Sequence, residues 1–101
     1  MPAVARQGDP TTTGHGCDGT TTVVGPTGAS AKVYANGIPV ECKGDPTAVH
    51  SIGSPPFCVA HTAVINVGSG TVKVGGKPLA RKGDSTDAGE ITAGSPNVNC
   101  G

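Results

Sequence analysis

Large side chains are nearly missing from this 101-residue sequence: it has no tryptophan, one phenylalanine, one tyrosine, one methionine and, at position 79, a single leucine. A core must therefore come from valine, isoleucine and alanine, and it will be thin for a domain of this size. The lack of aromatics also removes the stacking platforms that single-stranded nucleic acid needs. Seven basic and seven acidic residues are scattered without runs, for a formal net charge of +0, so no electrostatic footprint for nucleic acid or an anionic membrane is expected. The opening MPAVARQGDPTTTGHG meets charge and a turn at Arg6 to Asp9 before any apolar run develops. Neither a signal peptide nor a transmembrane segment is expected, and the chain reads as one made in the cytoplasm.

Glycine and proline are abundant. With 17 and 9 copies they make up about a quarter of the chain, a fraction that in an aperiodic sequence would point to disorder. Here an internal repeat changes the reading. VYANGIPVECKGDPT, residues 33 to 47, aligns without a gap to VKVGGKPLARKGDST, residues 72 to 86, an offset of 39 from 33 to 72. ARQGDPT, residues 5 to 11, matches the end of the same unit, so Gly-Asp occurs at 8–9, 44–45 and 83–84. Three units are implied.

Threonine and valine dominate the runs that follow each Gly-Asp (TTTVVG, TAVINVGSGTVKVGG, EITAGSPNVNCG), and no window sustains helical periodicity. The fold class is all-β: short hairpins in one domain spanning residues 1–101. Val33 to Tyr34 and Val72 to Val74 read as strands entering two-residue turns at Asn36-Gly37 and Gly75-Gly76, with Ile38 to Cys42 and Leu79 to Arg81 returning. Asp9, Asp45 and Asp84 read as turn-closing acceptors of backbone hydrogen bonds, and Glu41 and Glu90 as solvated strand residues.

One stretch gathers chemistry. HSIGSPPFCVAH, from His50 to His61, holds two of the three histidines and one of the four cysteines. Gly53-Ser54-Pro55-Pro56 between them excludes helix and folds the chain back, with Pro55-Pro56 stiffening the loop. His15 and His50 each follow a Gly-Asp at a similar distance, so a repeat arranged about a common axis would bring them together. Cys58 and His61, spaced C-x-x-H, can complete the set from the returning arm. Three imidazoles and a thiolate suit a four-ligand, hence structural, zinc, and its binding free energy would be folding free energy for a chain with so thin a core. Cys17, two residues from His15, could replace it as ligand. Four cysteines permit three disulfide connectivities, but without a secretory signal the metal or free-thiol reading is favoured; Cys42 and Cys100 read as buried thiols.

Enzyme chemistry is not expected. There is no G-x-S-x-G elbow, no phosphate loop around Gly75-Gly76-Lys77 and no H-E-x-x-H. A Ser51/His50/Asp45 set would lack an oxyanion hole and a substrate pocket.

ARQGD, PVECKGD and PLARKGD, with Gly-Ser returns at Gly68 to Val72 and Gly94 to Val98, resemble the PAAR-repeat proteins over nearly the whole chain. The resemblance implies a sharp, conical all-β tip of pseudo-threefold repeats on a trimeric spike, either the VgrG spike of a type VI secretion system or the central spike of a contractile phage tail. It implies one chain per trimer, a zinc near the apex held by His15, His50, Cys58 and His61, and transient contact with a target membrane during delivery outward. A zinc-binding β-domain that attaches effector cargo to a spike is the alternative. The central unit departs from the repeat pattern: VECKGD puts Glu41 and Cys42 where the other units have Ala and Arg.

Overall fold

The computed structural model describes residues 2–25, 33–54 and 56–101; Pro55 of the expected stiff loop lies outside them. The described residues contain no helix, so no helix is long and apolar enough to cross a membrane. They form ten short strands joined pairwise into five antiparallel hairpins: β1 (Pro10–Thr12) with β2 (Thr20–Thr22), β3 (Tyr34–Ala35) with β4 (Ile38–Pro39), β5 (His50–Ser54) with β6 (Phe57–His61), β7 (Lys73–Val74) with β8 (Lys77–Pro78), and β9 (Ser85–Thr86) with β10 (Gly89–Glu90). The fold is all-β, as the repeat implied. The hairpins at Asn36-Gly37 and Gly75-Gly76 form where expected, with φ of 58°, 76°, 59° and 84° at the four turn residues, the left-handed values a two-residue turn demands. Their strands are shorter than the sequence suggests, because Pro39 and Pro78 have no N–H to extend the ladder.

What joins the hairpins is a set of single backbone bonds arranged in closed rings. Ala5, Glu41 and Ala80 occupy the same position of the three units. The N–H of Ala5 donates to the Ala80 carbonyl at 3.0 Å, that of Ala80 to Glu41 at 2.9 Å, and that of Glu41 back to Ala5 at 3.0 Å. A second ring runs the other way round, Gln7 to Pro39, Lys43 to Pro78 and Lys82 to Ala3, at 2.9, 2.9 and 2.8 Å. A third comes from bridges between each threonine after Gly-Asp and a return strand of a neighbouring unit: Thr11 with Ile91, Thr47 with Val23, Thr86 with Ile65. Among the described residues the three units pair their edges with one another around the axis, and the molecule is elongated, 41 × 24 × 23 Å.

The Gly-Asp turns explain the repeat motif. In each, the aspartate N–H donates to the carbonyl three residues back at 3.0 Å, and its carboxylate accepts that same residue's N–H: Arg6, Cys42 and Arg81, at 2.7 to 2.8 Å. All three aspartates are buried, as turn-closing acceptors should be. Arg6 and Arg81 add an ion pair to Asp9 and Asp84 within the turn, at 3.5 and 2.9 Å. The Gly-Ser returns are built alike: the Ser69 hydroxyl accepts the N–H of Thr71 and Val72, and that of Ser95 accepts Asn97 and Val98.

The core divides into two clusters of small residues. One comprises Val4, Ala35, Val40, Cys42, Leu79 and Cys100, with Val74 packed against it; the other Ala5, Val23, Ile65, Ala80 and Ile91. Cys42 and Cys100 are buried free thiols, as expected. Glu41 is not the solvated residue its strand position suggested: it is 0% exposed. The reason is the repeat itself, since its counterparts Ala5 and Ala80 both face the axis. Burial, then a hydrogen bond with Asp45 and the charges of Asp45 and Asp9, push the Glu41 carboxyl up to about 9.

The turn glycines separate backbone strain from packing. Gly8 and Gly44 have φ of +88° and +94°, yet a Cβ on either would meet nothing within 4 Å. Gly8→Ala and Gly44→Ala should each cost about 1–2 kcal/mol from left-handed strain alone. Gly19 is equally open without a positive φ, so Gly19→Ala should be neutral or gain up to about 1 kcal/mol. Urea unfolding of the three variants measures the contrast, and equal effects would show that the turn conformation is not what the Gly-Asp repeat preserves.

Candidate metal centre

Beyond the Gly-Asp turns, each unit sends a residue to one point. The chain leaving β1 is held by Thr13, whose N–H donates to Gly19 O at 3.0 Å and whose hydroxyl accepts the N–H of His15 at 3.1 Å. His50 opens β5, and the register of β5 and β6 sets His61 directly opposite it; the segment between them folds back so that its ends meet, as the sequence implied. From the third unit comes Asp87, at the β9–β10 turn with a left-handed φ of 57°.

The three imidazoles cluster with ring centroids 5.0 to 6.1 Å apart. Their Nε2 atoms all face the Asp87 carboxylate: His15 at 2.7 Å from Oδ1, His50 at 2.7 Å from Oδ2, and His61 at 3.4 Å from Oδ2. One donor atom from each of the four residues lies within 4.8 Å of the others. The His50 Nδ1–H donates to the Ala48 carbonyl at 2.9 Å, which leaves Nε2 as the inward atom. Burial alone would lower the His50 pKa, but the bonds to Ala48 and Asp87 and the charges of Asp87 and Asp18 raise it overall. Burial would raise the Asp87 pKa, but the hydrogen bonds from His15 and His50 and the charges of His15 and His61 bring it below the usual carboxylate value. The His61 Nε2 is buried without a hydrogen-bond partner among the described residues, an orphaned donor or acceptor of the kind that calls for a ligand.

Of the four residues expected at this point, the structure brings together His15, His50 and His61. Cys58 is not present as a free thiol: its sulfur is bonded to that of Cys17, with the two Cα atoms 6.0 Å apart. A disulfide sulfur carries no thiolate lone pair for a metal, so in this state neither Cys58 nor its alternate Cys17 can be a ligand, and the preference for free thiols was mistaken at this pair. The disulfide has a structural setting. The Asp18 N–H donates to Ser51 O at 2.9 Å and the Ser51 N–H to Asp18 Oδ2 at 2.7 Å. Those bonds lay the segment carrying Cys17 along β5, within reach of β6. Asp87 was missed, and a partial signal for it existed: Asp87 follows the third Gly-Asp, at 83–84, by three residues, as His50 and His15 follow the second and first by five and six.

The donor set suits a borderline divalent cation such as zinc, which binds imidazole nitrogen and carboxylate oxygen. Four protein donors supplied by three units would tie those units to one another. No pocket opens among the described residues.

A family model described as PAAR motif matches residues 7–89 of the chain. No curated protein matches it.

The disulfide fastens the β5–β6 arm across a sequence separation of 41 residues, for which the loop-entropy argument gives about 4 kcal/mol. A thiol reductant should therefore lower Tm by roughly 15 °C or more, while Cys17→Ser/Cys58→Ser should start at the lower Tm and ignore the reductant. A wild-type Tm that does not move with reductant, with free-thiol titration showing the bond open, would remove the disulfide from the account of stability.

Proposed function

The chain belongs to the PAAR motif family, a family of structural spike-tip proteins of type VI secretion and phage-related machines that associate with VgrG spikes, and we propose that it caps a trimeric VgrG-type or phage central spike as its sharp point. The observation that carries this reading is the closed ring of Ala5, Glu41 and Ala80. A single polypeptide with three near-equivalent units can seat on a partner with true threefold symmetry, one copy per trimer. No reaction is required of it. The contractile machine pushes the spike outward, and a rigid point concentrates force on the target envelope.

Rigidity is the part that zinc would supply. In this reading His15, His50 and His61 hold the ion, and bound zinc contributes the link between units that the thin core cannot. The fourth donor depends on the state of the cysteines. With Cys17 and Cys58 joined it is Asp87; Cys58, the sequence-based choice, can serve only as a thiolate, after that bond is reduced. Metal and proton compete for the same Nε2 atoms, so neighbours that raise the His50 pKa also make uptake weaker in acid.

Co-expression with a trimeric spike protein from the same genome should yield a complex of one chain per trimer, and failure to bind any such spike would sink the capping role. The purified chain should carry about one zinc. His50→Ala should lose it and drop Tm by roughly 10 °C or more. Without reductant, Asp87→Ala should lower zinc content and Cys17→Ser/Cys58→Ala should not. The reverse pattern would assign the fourth position to Cys58.

A further inference from the structure

Among the exposed apolar side chains, one set obeys the repeat. Val33, Val72 and Val98 each close a Ser-x-x-Val segment and are 40%, 36% and 38% exposed. Their carbonyls accept the N–H of Val40, Leu79 and Val4 at 2.9, 3.0 and 2.9 Å, a further threefold set beside the rings that close the axis. The other exposed valines are not repeated in this way. Val49 and Val59 lie next to or on the β5–β6 arm of the central unit, and the positions equivalent to Val24 are Asn66 and Thr92.

These valines lie at the end of the molecule away from the histidines. Successive residues of an extended chain face opposite ways, and the segments of the central ring show it. Ala5 and Ala80 pack with Val23, Ile65 and Ile91, which bridge to Thr47, Thr86 and Thr11 on the way to the histidine cluster. Val4, Val40 and Leu79, one residue earlier, pack on the other side with Ala35, Val74 and Cys100. Val33, Val72 and Val98 stand two residues before Ala35, Val74 and Cys100, so they share the face of that second cluster and continue it to the surface.

Charge divides the same way. Arg6 and Arg81 are paired with turn aspartates, so the exposed cations among the described residues are lysines. Lys73 and Lys77 lie on the β7–β8 hairpin, which begins next to Val72, and the Lys43 N–H donates to Pro78 of the same hairpin. The acids are elsewhere. Asp9, Glu41, Asp45 and Asp84 are buried, and Asp87 is with the histidines. The exposed ones, Asp18 and Glu90, are bonded to Ser51 and to Thr12 on the histidine side. A chain with a formal net charge of +0 is thus positive near the valines.

We propose that Val33, Val72 and Val98, flanked by Lys43, Lys73 and Lys77, are the docking face, and that its occupant is the blunt end of a trimeric spike with an apolar centre and acidic groups at its border. The inference rests on the capping role and adds which face is covered and what chemistry covers it. Three equivalent side chains of a true trimer can each meet one valine in the same way, which an arm belonging to one unit does not allow. Half-exposed valines supply apolar area that loses water on contact. Lysines at the margin add an attraction that salt screens and that acts on the rate of encounter. The counterparts of Lys73 are Tyr34 and Asn99, so charge marks one side of a face whose apolar part is threefold.

Binding to the trimeric spike protein from the same genome tests this, with the fold of each variant checked by Tm. Val72→Asp and Val98→Asp should each weaken binding about tenfold or more, and Val59→Asp, on the β5–β6 arm, should leave it unchanged. Lys73→Glu/Lys77→Glu should slow association at low salt and flatten its salt dependence. Should the aspartate variants fail to fold, amide hydrogen exchange of the wild-type chain replaces them: the spike should protect residues 33–39 and 72–79 and leave 57–61 as they were. Valine variants that bind as well as wild type, or protection confined to 57–61, would overturn this face while leaving the capping role intact. An association rate indifferent to salt would overturn the acidic border. A wild-type chain that binds no spike would instead end the capping role, and this inference with it.

Discussion

Three backbone hydrogen bonds, passing from Ala5 to Ala80 to Glu41 and back to Ala5, hold the rest of this molecule in place. None of the five hairpins exceeds five residues per strand, and a hairpin of that length is marginal on its own in water. Joined in a ring, each unit satisfies the polar edge of the next, and the side chains facing the axis are excluded from solvent. That is how a chain with one leucine and one phenylalanine obtains a core: Val23, Ile65 and Ile91 meet around the axis because the backbone rings bring equivalent positions together.

The same closure explains why the metal-ligand candidates converge. His15, His50 and Asp87 each follow a Gly-Asp turn, and a threefold ring places equivalent positions around one point. His61 arrives by a different route, as the register partner of His50. The result is a group of three imidazoles around one carboxylate, drawn from all three units. Its physical effect would be mechanical, since any ligand bound to all four residues resists separation of the units.

Repetition also shows where the chain has changed. A position that is alanine in two units and glutamate in the third would pass unnoticed on a single strand. Once the ring makes the three positions equivalent, Glu41 becomes a buried acid at the axis. Beside it, Cys42 stands where an arginine would pair with the turn aspartate. Asymmetry within the repeat carries information that the repeat itself cannot.

The sequence by itself determined the all-β class, the three units, the Gly-Asp turns with their buried aspartates, and the meeting of His15, His50 and His61. Those follow from local chemistry and from the equivalence of repeated positions: left-handed glycines, proline-limited strands and carboxylates that close their own turns. Tertiary structure alone decided the rest. Cys58 and Cys17 are 41 residues apart, and the bonds between Asp18 and Ser51 lay their two segments side by side. Asp87 enters the histidine cluster because the β9–β10 turn closes the ring over it. Glu41 is buried because its strand faces an axis, not a solvent-exposed sheet face. Each of these depends on which segments become neighbours across the ring, and such contacts leave little trace in the local pattern of any one segment.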